Sequence, residues 1–168
     1  DAITIDQNDE LHFIGTSAQA VSGTIGGAGG ANDGAIIVGD GTDASNVTFN
    51  GVIGGAALDT FDVLAKSKAT LAANATTVTD FTIDGTLRVN QGVTVTSAAF
   101  AAGAADGTIE LVVGNTAAGA DESATLASGN ALDLDNLDGT TANSASLKLV
   151  KGTGVISNGD EFTVGDGT

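Results

Sequence analysis

The stretch FTIDGTLRVNQGVTVT, residues 81–96, decides which kind of fold this sequence encodes. Its apolar residues occupy odd positions, and most of its polar residues, chiefly Thr, Asp and Asn, occupy even ones. A period of two predicts β-strands with one buried face and one solvated face. Two turn signals, Asp84-Gly85 and Asn90-Gln91-Gly92, interrupt the stretch without changing this parity. The chain therefore turns corners repeatedly while the same face stays inward.

The same pattern extends along the whole chain as apolar pairs two residues apart, separated by clusters of Gly, Asn, Asp, Ser and Thr. Such pairs predict strands of three to five residues bounded by turns. Two segments, 58–74 and the alanine-rich 97–107, are weaker candidates for helix, and Gly103 and Gly107 interrupt the second. The sequence therefore predicts an all-β protein. The pairs are Ile3/Ile5, Leu11/Phe13, Ile36/Val38, Val47/Phe49, Phe61/Val63, Phe81/Ile83, Leu87/Val89, Val93/Val95, Ile109/Leu111, Leu132/Leu134, Leu147/Leu149 and Phe162/Val164.

Internal repetition favours a parallel β-solenoid (β-helix) of short strands. GTIGGA at 23–28 returns as GVIGGA at 51–56, and the segment 69–86 aligns loosely with 124–140. Imperfect repeats of strand–turn units are typical of architectures in which each unit contacts mainly its neighbours. The series Phe81–Leu87–Val93 would then mark three consecutive arms of one coil. At roughly 20 residues per coil and about 4.8 Å per strand, the chain would form about eight coils in a rod on the order of 40 Å long.

The alternative fold is a β-sandwich, jelly-roll-like, in which the same turns are hairpins and the N-terminal strand is donated to another subunit. Residues 1–15, DAITIDQNDELHFIG, would supply that strand by β-augmentation. In either fold, residues 1–168 are expected to form a single β-rich domain, or a segment of a longer repetitive surface protein. The abrupt start at Asp1 is what a processed or excised product would show.

Composition limits the classes of function. The chain has 21 acidic residues against 5 Lys and Arg, for a net charge of −16, so nucleic acid and anionic membranes would repel it. No apolar run approaches the roughly 20 residues of a membrane span, so direct membrane insertion is not expected. The absence of Cys removes disulfides and thiolate catalysis, and the absence of Trp and Tyr removes the usual aromatic platforms for sugars.

Three stretches resemble the repetitive passenger regions of bacterial autotransporters, especially the surface-layer-like outer-membrane proteins of rickettsiae. They are ITIDQNDELHFIGTSAQAVSGTIGG (3–27), SNVTFNGVIGGAALDTFDVLAKSKATLAAN (45–74) and FTIDGTLRVNQGVTVT (81–96). The shared pattern is a short β-pair, then F-x-G, G-x-I-G-G and G-T-L-x-V. The resemblance covers about the first 100 residues well and the remainder loosely. It implies an extracellular structural or adhesive protein of the bacterial surface, with no reaction of its own.

Two motifs that could suggest an enzyme have simpler interpretations. His12, the chain's single histidine, lies between Leu11 and Phe13 and is expected to point outward from the strand that they bury. The glycine-rich GTIGGAGGANDG, residues 23–34, lacks the GK[ST] ending of a phosphate loop and no helix is predicted after it. A corner or an insertion between coils is the expected structure there. No catalytic residues are predicted, and the protein is expected not to be an enzyme.

The acidic clusters are the remaining candidates for a site. Carboxylates and turn carbonyls in GDGTD (39–43), LDLDNLDG (132–139) and NGDE (158–161) are oxygen ligands of the kind that Ca²⁺ prefers. None of the three clusters matches the twelve-residue calcium loop or the nonapeptide calcium repeat. A solvated acidic strand face is the favoured explanation over a metal site. No cofactor is required, and the candidates for a calcium-responsive surface are Asp133, Asp135 and Asp138.

The sequence therefore predicts a non-enzymatic, extracellular structural protein of a bacterial surface that self-assembles as a coat, filament or adhesive stalk. Its expected partners are copies of itself, in an oligomer or polymer, and a host or matrix surface. The alternative function is a calcium-dependent adhesin, or a carbohydrate- or host-binding module. Such a module would need a concave polar site, which no sequence feature locates.

Overall fold

A computed structural model describes residues 1–29, 33–54, 56, 58–114, 124–128 and 145–152 of the chain. Within these residues all regular secondary structure is β, which confirms the all-β prediction, and both candidate helical segments contain strands. Because each strand is only four to nine residues long, every turn lies close to the next one. The strands are β1 Ala2–Ile5, β2 Glu10–Phe13, β3 Ala18–Val21, β4 Thr24–Gly27, β5 Asp33–Val38, β6 Asn46–Phe49, β7 Leu58–Val63, β8 Lys68–Leu71, β9 Ala75–Ile83, β10 Thr86–Val89, β11 Thr94–Ala101, β12 Thr108–Val113, β13 Thr125–Ser128 and β14 Ser146–Lys151.

The strands stack into two six-stranded parallel sheets. Sheet A has the order β13-β11-β9-β7-β5-β2, and sheet B has the order β14-β12-β10-β8-β6-β3. Strands that follow one another along the chain alternate between the sheets, and each pairs in parallel with the strand one coil away. This is a parallel β-solenoid, as predicted. The alternative sandwich is wrong, because its turns would be hairpins between antiparallel neighbours.

A third arm closes one side of each coil. It begins with the parallel pair β1–β4 and continues where Ile53 bridges to Ile25 and donates its N–H to the Asn74 carbonyl at 3.2 Å. Farther along, Val95 at the start of β11 lies opposite Ala75, whereas Phe100 near the end of the same strand lies opposite Phe81. One long strand therefore spans two arms, with a register shift between Val95 and Ser97. The prediction of three arms per coil is confirmed.

The length of the coil varies more than the sequence suggested. Phe61 lies opposite Ile36, 25 residues earlier, whereas Phe81 lies opposite Phe61, 20 residues earlier. The step from Ile109 to Leu147 is 38 residues, an interval that contains β13 and residues outside the described part of the chain. The prediction of about eight coils is therefore wrong, since each sheet stacks six strands in the described residues.

One of the two internal repeats corresponds to stacked structure. Ile25 and Ile53, the equivalent residues of GTIGGA and GVIGGA, lie over each other in the third arm. The backbone there comes so close that a Cβ on Gly51 would collide with the Gly23 carbonyl. The second proposed alignment does not hold, because residue 69 lies in sheet B whereas Thr125 stacks on Thr94 at the start of β11.

The core is a set of columns in which like residues stack from coil to coil. In sheet A the column Ile36–Phe61–Phe81–Phe100 is fully buried, and in sheet B the column Val47–Ala69–Leu87–Ile109 is fully buried. Phe49 of sheet B makes edge contacts with Phe13 and Phe61 of sheet A, at ring centroid distances of 5.2 and 5.4 Å. The inner faces of the two sheets therefore pack against each other in the core, and their outer faces lie on different sides of the solenoid.

Candidate functional site

The N-terminal end of the solenoid is an open edge. In the described part of the chain, β1 pairs with β4, β2 pairs with β5 and β3 pairs with β6, and none of these three strands has a partner on its other side. An unpaired edge presents N–H and C=O groups that can extend a sheet with another strand. We call β1, β2 and β3 the open edge.

Apolar side chains are exposed along this edge because no coil covers them. Ile3 of β1 is 40% exposed, while Leu11, Phe13 and Val21 are only partly buried; Ile14, which is 60% exposed, follows β2 and lies beside these strands. Ile3, Leu11, Phe13 and Val21 therefore end the apolar columns on the side of β1, β2 and β3 in the described residues.

Gln19 modifies the open edge at one position. It lies opposite Val47 and so continues the buried aliphatic column of sheet B with a polar side chain. Its Nε2 donates to the Ile14 carbonyl at 3.0 Å, so the amide is satisfied within its own coil. Gln19 therefore ends the Val47 column with a polar side chain, whereas Ile3 of β1, Leu11 and Phe13 of β2 and Val21 of β3 are the apolar side chains of the open edge.

A shallow polar groove of about 340 Å³ lies beside β2. Its lining combines amides, carboxylates and small residues from three successive strands and the turn before β2, in which Asn8 has a positive φ of 64°. Such a groove can present several hydrogen-bonding groups to a polar ligand. The lining residues are Gln7, Asn8, Asp9, Glu10, Gly34, Ala35, Asp59 and Thr60.

Asp62 is the most perturbed carboxylate on the outer face of sheet A. Burial raises its pKa, the hydrogen bond from the Thr82 side chain partly offsets this, and the nearby negative charges of Asp84, Glu10 and Asp59 raise it further. Its Oδ1 is buried and makes no hydrogen bond. The ionised carboxylate is therefore destabilised in the folded protein.

The outer face of sheet B carries a compact ion-pair cluster. Glu110 Oε2 lies 2.7 Å from Lys68 Nζ and 3.5 Å from Arg88 Nη1, and all three side chains are partly buried. Burial alone would raise the pKa of Glu110, but the hydrogen bonds and attraction of Lys68 and Arg88 outweigh it and lower that pKa. The sequence analysis did not single out these residues, although the strand parity already placed them on one outward face.

Of the residues singled out from sequence, the three candidate calcium ligands lie outside the described part of the chain, whereas His12 lies within it. Asp133, Asp135 and Asp138 lie outside the described residues, so the calcium-responsive surface stays a prediction. In the part of the chain that is described, no three His, Asp or Glu side chains come together in a way that could hold a metal ion. His12 is exposed, as predicted, and its Nε2 lies 2.8 Å from Glu10 Oε2. Residues 24–27 of the glycine-rich segment form β4, a strand of the third arm rather than a corner.

Comparisons with known proteins identify no relative. No family model, no curated protein and no solved structure matches the chain. No helix long and apolar enough to cross a membrane occurs among the described residues. The inference of function therefore depends on the geometry described above.

Proposed function

We propose that this chain is a non-enzymatic structural segment of a bacterial cell surface, extracellular, that assembles with copies of itself through the ends of its solenoid. The observation that carries the proposal is the open edge. A parallel solenoid whose end strands lack a partner and whose apolar columns stop at exposed side chains is built to be continued by another coil. We propose that a second copy supplies such a coil, stacked on β1, β2 and β3.

The resemblance to autotransporter passengers and surface coats supports the location, and the acidic, Cys-free composition is in keeping with it. In that setting the protein contributes length and rigidity rather than chemistry. The stacked core of Phe, Ile, Leu and Val provides the rigidity.

The test places charge on the open edge without deleting it. Removing residues 1–15 would uncover Ile36 and Val38 of β5 and create a new apolar edge, so a deletion is ambiguous. Ile3→Lys with Ile14→Lys changes exposed side chains only. We expect this variant to keep its β-type circular dichroism and to lose end-to-end assembly in negative-stain electron microscopy. Assembly of unchanged length would refute the proposed contact.

A second candidate is a binding module for a polar ligand such as a carbohydrate, with or without calcium. The groove beside β2 favours it, because amide and carboxylate groups converge there around about 340 Å³. Glycan-array binding with and without a calcium chelator tests this candidate. Binding that Asn8→Ala weakens, while Asn50→Ala in a turn of another coil does not, would support it.

A further inference from the structure

The positive charges of this acidic protein are confined to one side of the solenoid. The chain has five Lys and Arg residues against 21 acids. Lys68, Arg88, Lys148 and Lys151 all lie on strands of sheet B, and Lys66 lies in the turn before β8. None of the five lies in sheet A.

Strand parity aligns three of these bases on one surface. Leu87, Ile109 and Leu147 point inward, so Arg88, Glu110 and Lys148, which are mutual neighbours in register, lie on the outward face. Lys68 joins them through its ion pair with Glu110. We call Lys68, Arg88, Glu110 and Lys148 the basic face; it has three cations and one anion, and Lys148 is exposed.

The outer face of sheet A has the opposite charge. Glu10 and Asp80 occupy one outward column, separated by Ala35 and Thr60, and Asp62 occupies the next column. Asp59 opens into the same groove as Glu10. We call Glu10, Asp59, Asp62 and Asp80 the acidic face. The other side chains of the first column are Ala35, Thr60 and Ala99, and those of the second are His12, Ile37, Thr82 and Ala101. His12 lies 2.8 Å from Glu10 Oε2 at the N-terminal edge of this face, so Asp80 is its carboxylate farthest from the imidazole along the sheet.

We propose that the basic face docks on the acidic face of a second copy, so that solenoids associate side by side. This proposal rests on the self-assembly proposed above. At a net charge of −16 two copies repel each other in most orientations, and this orientation brings opposite charges together. The strands on both faces repeat at about 4.8 Å, so rows of charge on the two copies share one spacing.

The symmetry of this contact makes it open-ended. The inner faces of the two sheets pack against each other, because Phe49 of one contacts Phe61 of the other, so the basic face and the acidic face lie on different sides of one copy. A copy that docks through its basic face therefore leaves its acidic face free for another copy. Such a heterologous contact continues from copy to copy and does not close into a dimer. Combined with end-to-end stacking, it produces a layer rather than a single filament.

The test uses charge reversal with matched controls. Lys148→Glu changes the basic face, and Lys66→Glu makes the same chemical change in a turn. Asp80→Lys changes the acidic face, and Asp43→Lys makes the same change in an exposed turn. We expect each face variant alone to raise the concentration needed for lateral association at least fivefold at low salt, measured by sedimentation and by the width of assemblies in electron micrographs. The turn variants should stay within twofold of wild type.

Mixing the two face variants provides the decisive measurement. The reversed basic face of Lys148→Glu faces the reversed acidic face of Asp80→Lys, and the unchanged faces still match, so an equimolar mixture should restore lateral width. Failure of the mixture to recover would overturn the proposal. Single-file rods of unchanged length in every variant would overturn lateral docking while leaving the end-to-end contact intact. Binding of a sulfated polysaccharide that Lys148→Glu abolishes, without lateral contact between copies, would assign the basic face to an anionic polymer instead.

Discussion

Replacing Phe81 with Ala tests whether aromatic stacking between coils stabilises the solenoid. Phe81 is 1% exposed, and its ring lies 5.1 Å from that of Phe61 and 5.3 Å from that of Phe100. Phe→Ala changes in buried cores cost about 3–5 kcal/mol, and each aromatic pair contributes about 0.5–1.5 kcal/mol of that. Because Phe81 has a ring on both sides and no surface to relax into, we expect a loss of about 4 kcal/mol.

Phe13 is the matched control, because it lies at the end of the series of ring contacts Phe13–Phe49–Phe61–Phe81–Phe100, which we call the aromatic ladder. It is only partly buried and contacts the ring of Phe49, at 5.2 Å. We expect Phe13→Ala to cost about 1–2 kcal/mol, since less apolar area leaves the core. For a domain of this size, about 1 kcal/mol corresponds to about 2–4 °C in melting temperature. The two variants should therefore differ by several degrees or more.

Urea unfolding followed by far-ultraviolet circular dichroism measures both values, and a double-mutant cycle with Phe61→Leu and Phe81→Leu isolates the pair. We expect a coupling of about 1 kcal/mol between Phe61 and Phe81. Equal losses for Phe81→Ala and Phe13→Ala would contradict the buried ladder. A coupling indistinguishable from zero would mean that Phe61 and Phe81 are not stacked in register.

Three further substitutions test the turns and the electrostatics. The carboxylate of Asp84 accepts hydrogen bonds from the backbone N–H groups of residues 103–105 at 2.6, 3.1 and 3.0 Å. Asp84→Ala should therefore lower the free energy of unfolding in urea by about 1–3 kcal/mol. Asp84→Asn keeps an acceptor oxygen and should lower it less. Because burial raises the pKa of Asp62, ionisation of its carboxyl destabilises the folded state above that pKa. Asp62→Asn should therefore raise the melting temperature at about pH 8. If this gain in melting temperature did not shrink as the pH falls toward about 4, burial of the charge would be refuted as its cause. Gly51→Ala should destabilise the protein because the added Cβ meets the Gly23 carbonyl, and thermal melting equal to that of wild type would show that the two coils can separate there.

The period of two in the sequence predicted most of the strands that build the core. Pairs such as Phe61/Val63 and Leu87/Val89 are fully buried on the inner faces of their sheets, because β-branched and aromatic residues at alternate positions have one way to leave water. Strands with one or two apolar side chains were missed, including β3 (AQAV) and β8 (KATL). These are strands because the neighbouring coils supply hydrogen bonds along their length, which is a tertiary effect.

The order of strand pairing could not be derived from local pattern with certainty, since Asp84-Gly85 and Asn90-Gln91-Gly92 suit hairpins as well as solenoid corners. For the charged faces, the local pattern predicts on which side of a strand the residues lie but not which residues contact each other. Parity alone places Arg88 and Glu110 on an outward face, but their contact requires the stacking of β10 on β12. Coil length was predicted poorly because extra residues between stacked strands, as in the step from Ile109 to Leu147, leave the stacked residues unchanged.

The proposed end-to-end assembly depends on whether the apolar area that it buries outweighs the lost freedom of motion and the charge repulsion between copies. Burying a fully exposed large aliphatic side chain contributes about 1.5–3 kcal/mol. Ile3 and Ile14 are only 40% and 60% exposed and the other apolar residues of the open edge are partly buried, so covering them contributes on the order of 3–5 kcal/mol. Association costs an estimated 4–15 kcal/mol in lost translational and rotational freedom, and like-charged copies add repulsion. End-to-end stacking alone is therefore marginal in dilute solution. The proposed contacts between the basic and acidic faces would add attraction to the end contact. Because salt screens exposed charges over about 8 Å at physiological strength, they would also make assembly sensitive to ionic strength. We therefore expect copies that use these proposed contacts to stay dispersed while dilute and to form extended assemblies only where they are concentrated.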